Sequence, residues 1–157
     1  MSNYQCLSII REYHFSDAEY LIKVINSVCR EQKWMHTSNF APTYEWEEAL
    51  SAINHEHLIL VAAVDQKIVG WCRVFVGGYC GDVGIGLLRE FRDMQIGTRL
   101  LNKAVEWSMS RGLSTLKLSC RLDNKRALHL FKKFGFRACN VNDGAMLNMV
   151  NMAVIYD

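Results

Sequence analysis

Apolar positions along this chain switch between a helical and a strand spacing. Leu21, Ile22, Ile25 and Val28 recur at the spacing of one helix face, behind Ser16 or Asp17 as a cap, and predict a helix ending near residue 30. A strand over 6–13 precedes it. An irregular stretch over 33–43 leads to a second helix over 44–54, with Thr43 as N-cap and Glu45, Glu47 and Glu48 in its first turns. Residues 57–64 are nearly all apolar, which predicts a strand buried on both faces. Asp65-Gln66-Lys67 turns into a strand over 68–76, Gly77-Gly78 breaks it, and another strand follows over 79–88. The chain then alternates: a helix over 98–111, a strand over 113–122, a helix over 125–134 and a strand over 136–140. Asn142-Asp143-Gly144 reads as a turn into a last strand over 146–156, an edge that could pair across a dimer. A meander followed by this alternation predicts a mixed α/β sheet with helices on both faces, in a single domain over 1–157. It is not a dinucleotide fold, because no Gly-x-Gly-x-x-Gly follows the first strand.

With 157 residues and 50% apolar content the chain can bury a real core. No apolar run is long enough to span a membrane, and no signal-peptide pattern opens it, so no membrane partner is expected. The six cysteines (6, 29, 72, 80, 120 and 139) contain no Cys-x-x-Cys pair and sit mostly in apolar runs. They read as reduced core residues of a cytoplasmic protein. His55-Glu56-His57 lacks the spacing of a helical zinc pair and reads as a surface turn, so no metal is expected. Charge divides the chain. Residues 1–79 carry 6 Lys+Arg against 9 Asp+Glu, and residues 80–157 carry 12 against 7. The basic half suits an anionic partner and the acidic half a cationic one. Nucleic acid is not expected, because the basic residues are spread over several elements without interleaved aromatics.

Arg92-Asp93-Met94-Gln95-Ile96-Gly97-Thr98 lies between an apolar, glycine-spaced strand and an amphipathic helix. That order sets several unpaired N–H groups at a helix N-terminus, a ready site for phosphate. Further on come Asn124-Lys125-Arg126-Ala127 and Lys133-Phe134-Gly135-Phe136. Together these segments resemble the acetyl-CoA-binding core of the GNAT superfamily of N-acetyltransferases. The resemblance implies a mixed, mostly antiparallel sheet of about seven strands flanked by about four helices. It implies acetyl-CoA as co-substrate, and a strand that splays from its neighbour to admit the pantetheine arm. Leu87 and Leu88 would offer backbone groups to that arm, with the Leu88 N–H facing the thioester oxygen. The loop of Arg92, Asp93, Met94, Gln95, Ile96, Gly97 and Thr98 would hold the pyrophosphate, and Asn124, Ala127 and Phe131 would line the other side. Asn124 would also cap its helix. Gln95 stands where the family carries a glycine, so its side chain either changes the backbone angle or fills space beside the phosphate.

On the glycine-spaced strand, Asp82, Gly84, Gly86 and Leu88 share one nearly bare face. Glycine inside a strand marks close approach of a ligand or backbone, or else a bulge or tight packing on a helix. Asp82 is the candidate base for deprotonating an amine, against the plainer reading of an exposed carboxylate at a strand start. Many family members carry a tyrosine acid where this chain has Phe131, which also completes the apolar stripe Ala127, Leu130, Phe131 and Phe134. Water, Ser119, Cys120 or Tyr79 could serve instead. Ser119 occupies the place of a glutamate used by members that acetylate ribosomal N-termini. The resemblance sets the acceptor against the segment between the first two helices, where Trp34, His36, Phe40, Tyr44, Glu45 and Trp46 suit a cationic amine or simply pack the helices. The expected activity is acetyl transfer to a small primary amine such as an amino acid, polyamine or amino-sugar-like compound, by a monomer or homodimer. The alternatives are a non-catalytic acyl-CoA sensor, a protein or peptide acetylase, and a nucleotide binder.

Overall fold

The apolar run at 57–64 becomes strand β2 (Leu58–Val64), and all of its residues are buried. The computed structural model describes residues 8–31, 40–142 and 146–151. β2 joins β1 (Ser8–Glu12), β3 (Lys67–Gly77), β4 (Cys80–Leu87), β5 (Thr115–Arg121), β6 (Arg137–Asn142) and β7 (Met146–Asn151) in one seven-stranded sheet. The strand order is β1-β2-β3-β4-β5-β7-β6. Only β4 and β5 pair in parallel; the other described pairings are antiparallel. The helices are α1 (Ala18–Cys29), α2 (Tyr44–Leu50), α3 (Ile96–Ser110) and α4 (Lys125–Lys133), which is the expected mixed, mostly antiparallel architecture.

Several boundaries and one edge differ from the sequence-based expectation. Helix α2 stops at Leu50 because Ser51 turns extended, and its hydroxyl takes the Ile53 N–H. Helix α3 starts at Ile96, earlier than expected. The final strand is not an edge. β7 lies between β5 and β6, pairing Leu118 with Met149 on one side and Ala138 with Met149 on the other. Over its described residues, 146–151, both hydrogen-bonding edges are filled from within the chain and leave no free edge for pairing across a dimer; the rest of the expected strand lies outside the described residues.

Each face of the sheet carries its own core. Leu100, Leu101 and Ala104 of α3, with Leu128 and Phe131 of α4, pack on one face around Leu116, Phe136 and Met149. Leu21, Ile25 and Val28 of α1, with Trp46 of α2, pack on the other around Val61 and Trp71. Cys29, Cys72 and Cys120 are buried free thiols. Loss of solvent pushes the Cys72 thiol up to about 12 and that of Cys120 to about 11, so both are neutral, inert packing groups near neutral pH. Among the described residues no helix is long and apolar enough to cross a membrane.

Candidate active site

The site is made where β4 leaves β5. The two strands pair only from Cys80↔Thr115 to Asp82↔Lys117, while β4 stays paired to β3 along its length. Beyond Asp82 one edge of β4 is open. Ile85, Gly86 and Leu87 line a cleft there, faced across it by Asn124, the N-cap of α4, and by Ala127 and Phe131 of that helix. The Leu88 N–H, expected at the thioester, does not face this cleft: it donates to the Val69 carbonyl at 2.8 Å. Successive residues of a strand turn their N–H groups to opposite edges. Leu88 therefore belongs with Gly86 on the β3 edge, and Ile85 and Leu87 aim theirs at the cleft.

One end of the cleft is the start of α3. Ile96, Gly97 and Thr98 open the helix, and their N–H groups have no intrahelical acceptor. The first turn carries no acidic residue, so its positive dipole end is uncompensated. Gly97 lines the cleft, Ile96 is fully buried, Met94 packs on the core, and Asp93 pairs with Arg126 at 3.1 Å. Gln95 keeps the backbone that a glycine would choose, with φ 65° and ψ 6°, and its side chain is exposed. The substitution thus costs conformational energy without filling the site. Gln95→Gly is expected to raise unfolding stability by about 1 kcal/mol, read by urea denaturation at constant m-value.

The Arg92 side chain has a structural task of its own. Its guanidinium makes a two-pronged pair with Glu31 at 2.7 and 2.8 Å, and Nε and Nη2 both donate to the Leu87 carbonyl, at 3.1 and 2.8 Å. The side chain braces the end of β4 against the end of α1. Across the cleft, the Asn124 side chain accepts the Ala127 N–H at 3.2 Å, capping α4 as expected. Phe131 is buried and meets the Phe136 ring edgewise.

The opposite face of β4 is not bare. Gly84 and Gly86 stand directly across from Arg73 and Trp71. A Cβ at Gly84 would lie 2.7 Å from Arg73 Nε, and one at Gly86 would overlap the Trp71 ring. The glycines make room for side chains of β3, which neither a bulge nor a ligand explains. Asp82, half-exposed, lies 3.6 Å from Arg73 Nη1. It shares a pocket with Glu45 of α2 and with Arg73 and Lys117. The Glu45 carboxyl is held below its usual range by its own backbone N–H and by the Thr43 hydroxyl.

The remaining expected residues scatter. Ser119 borders a second groove with Asp82 and Lys117, and its hydroxyl donates to Asn148 Oδ1 at 2.8 Å. Phe40 packs edgewise on Trp46, Tyr44 is 71% exposed, and Trp34 and His36 lie outside the described residues. His57 is buried rather than part of a surface turn, and its Nδ1 accepts the Val76 N–H at 3.0 Å. Glu48, Glu56 and His57 converge closely enough to suggest a cation. However, a neutral imidazole that accepts at Nδ1 carries its proton on Nε2, leaving no lone pair there for a metal. Nε2 instead points toward Glu48 Oε1 at 3.8 Å. Sequence reasoning missed Arg73 and Ile85. Arg73 interrupts the buried face of β3, and that was its only signal.

The family model described as "Acetyltransferase (GNAT) family" matches residues 22–136. The chain belongs to the GNAT family of acetyltransferases. An uncharacterized N-acetyltransferase of Methanocaldococcus jannaschii is 38% identical over 55 residues, covering 35% of this chain and 24% of that protein. The chain therefore matches about a quarter of that relative's length. A GNAT-family acetyltransferase from Streptococcus pneumoniae superposes with a TM-score of 0.79 at 22% identity, covering 92% of this chain and 98% of the other. The PaiA N-acetyltransferase of Thermoplasma acidophilum, solved with coenzyme A, gives 0.75 at 19% identity, covering 97% and 99%. At these identities the two structures speak for the GNAT fold alone.

Proposed function

We propose that this protein transfers the acetyl group of acetyl-CoA to a primary amine of a small molecule, by direct attack in a ternary complex. The observation that carries this reading is the open edge of β4 beyond Asp82, facing α4 across a lined cleft. The Thermoplasma relative of the same fold binds coenzyme A, which supports this choice of donor. The loop from Arg92 to Thr98 holds the pyrophosphate on the main-chain N–H groups that open α3. Ile85 and Leu87 hold the arm and its thioester with backbone groups, while Asn124, Ala127 and Phe131 form the other wall.

The neutral amine nitrogen attacks the carbonyl carbon. A C–N bond forms, the C–S bond breaks, and the sulfur leaves as thiolate. Negative charge gathers on the carbonyl oxygen, where an N–H of Ile85 or Leu87 replaces the role expected of Leu88; one such donor is worth about 10²–10³ in rate. Asp82, at the fork of the strands, accepts the amine proton directly or through water. Phe131 has no proton to give, and the Ser119 hydroxyl is engaged with Asn148, so solvent protonates the thiolate. A thiol pKa of about 8.5 makes that leaving group tolerable at neutral pH.

Release of free thiol in the presence of small amines, set against peptides with free N-termini, tests the reading. Turnover confined to peptides refutes it. Asp82→Asn is expected to lower kcat/KM for the amine by about 10²–10⁴ while acetyl-CoA binding by calorimetry stays the same. An unchanged kcat/KM and pH profile removes Asp82 from the mechanism.

A further inference from the structure

The pocket beside Asp82 holds a cation that a purely cationic acceptor does not call for. Arg73 is largely withdrawn from solvent, with its side chain 19% exposed and its guanidinium carbon 4.3 Å from the centre of the Phe75 ring. Gly84 leaves it the space to lie flat against β4. Nη1 is committed to the Asp82 carbonyl at 2.7 Å. Among the described residues Nε and Nη2 have no hydrogen-bond partner, and the residue lines the pocket. The edge formed by Nε and Nη2 is the fork that matches a carboxylate with two parallel hydrogen bonds. The same pocket contains Lys117 as a second cation and Glu45 and Asp82 as two anions. Its charge is therefore divided rather than negative throughout.

We propose that the acceptor is an amino-acid-like zwitterion. Arg73 grips its carboxylate, and Asp82 and Glu45 draw its amine toward the fork of β4 and β5. A polyamine fits this pocket poorly, because its second ammonium would meet Arg73 or Lys117. This inference rests on acetyl transfer to small amines and narrows it to one chemical class. A carboxylate desolvated by the pocket is bound only if the fork is present, so Arg73 acts on acceptor selection and not on the acetyl donor.

The experiment pairs each amino acid with the amine that lacks only its carboxylate, with spermidine as a third arm, on the full chain with acetyl-CoA. Thiol release gives kcat/KM for each. The amino acid is expected to exceed its decarboxylated partner by roughly 10- to 100-fold, the worth of a charge-assisted contact. In Arg73→Gln that ratio is expected to fall toward one, through KM of the amino acid, with KM for acetyl-CoA unchanged. Arg73→Lys, which keeps the charge and loses the fork, is expected to fall between. The ratio is taken within one variant, so partial unfolding does not alter it. Preference for spermidine or for the decarboxylated amine overturns the inference while leaving acetyl transfer to small amines intact. An unchanged ratio in Arg73→Gln overturns it as well. Turnover of peptides alone removes both this inference and the reading it rests on.

Discussion

Replacing Arg92 with alanine is expected to cost about 3 kcal/mol of unfolding stability and to weaken acetyl-CoA binding at the same time. The guanidinium is mostly buried, at 13% side-chain exposure, and Glu31 at 23%. The variant leaves that carboxylate without its two-pronged partner and takes two hydrogen bonds from the Leu87 carbonyl. Breaking a withdrawn ion pair costs more than the pair contributes, because the remaining charge stays desolvated. The second effect follows from position. Leu87 is the last residue of β4, and the next turns, Arg89–Phe91 and then the loop, lead into α3. Arg92→Lys should recover only part of the loss, because one ammonium cannot satisfy both carboxylate oxygens and the carbonyl. Urea denaturation and calorimetric titration with acetyl-CoA read the two effects separately. A loss below about 0.5 kcal/mol would reduce the pair to a solvent-screened contact.

Gly86→Ala is expected to destabilise by about 2–3 kcal/mol, although it adds a single methyl group. Trp71 is 1% exposed and enclosed by the α1 face of the sheet, so its ring has nowhere to move when a Cβ intrudes. A double-mutant cycle isolates the cause. In a Trp71→Leu background the same Gly86→Ala change should cost less than about 0.5 kcal/mol, leaving a coupling energy of about 2 kcal/mol. Equal costs in both backgrounds would mean that the glycine is needed for its backbone and not for the ring.

Much of this fold was legible from local pattern. The apolar run at 57–64, the cap at Thr43 and the helices expected over 98–111 and 125–134 were legible from spacing, because caps and periodicity are properties of adjacent residues, while the Asn124 cap came from the family resemblance. Gln95 was also informative in isolation. A side chain at a glycine position poses the question of a left-handed backbone, and the structure keeps that backbone at φ 65°. The C-terminal strand was misplaced as an edge because its neighbours, β5 and β6, are decided by long-range pairing that period-two alternation does not encode.

The amino-acid sequence by itself determined the order of elements, the loop that leads into the helix behind it, and with them the family. Tertiary structure alone decided which groups face the cleft. A strand's N–H groups alternate between two edges, and only the pairing with β3 shows that Leu88 is occupied while Ile85 and Leu87 face the cleft. Register with β3 likewise decided that Gly84 and Gly86 admit Arg73 and Trp71, and packing against Glu31 made the Arg92 side chain a brace. Each of these depends on contacts between residues far apart in the chain, which local spacing cannot specify.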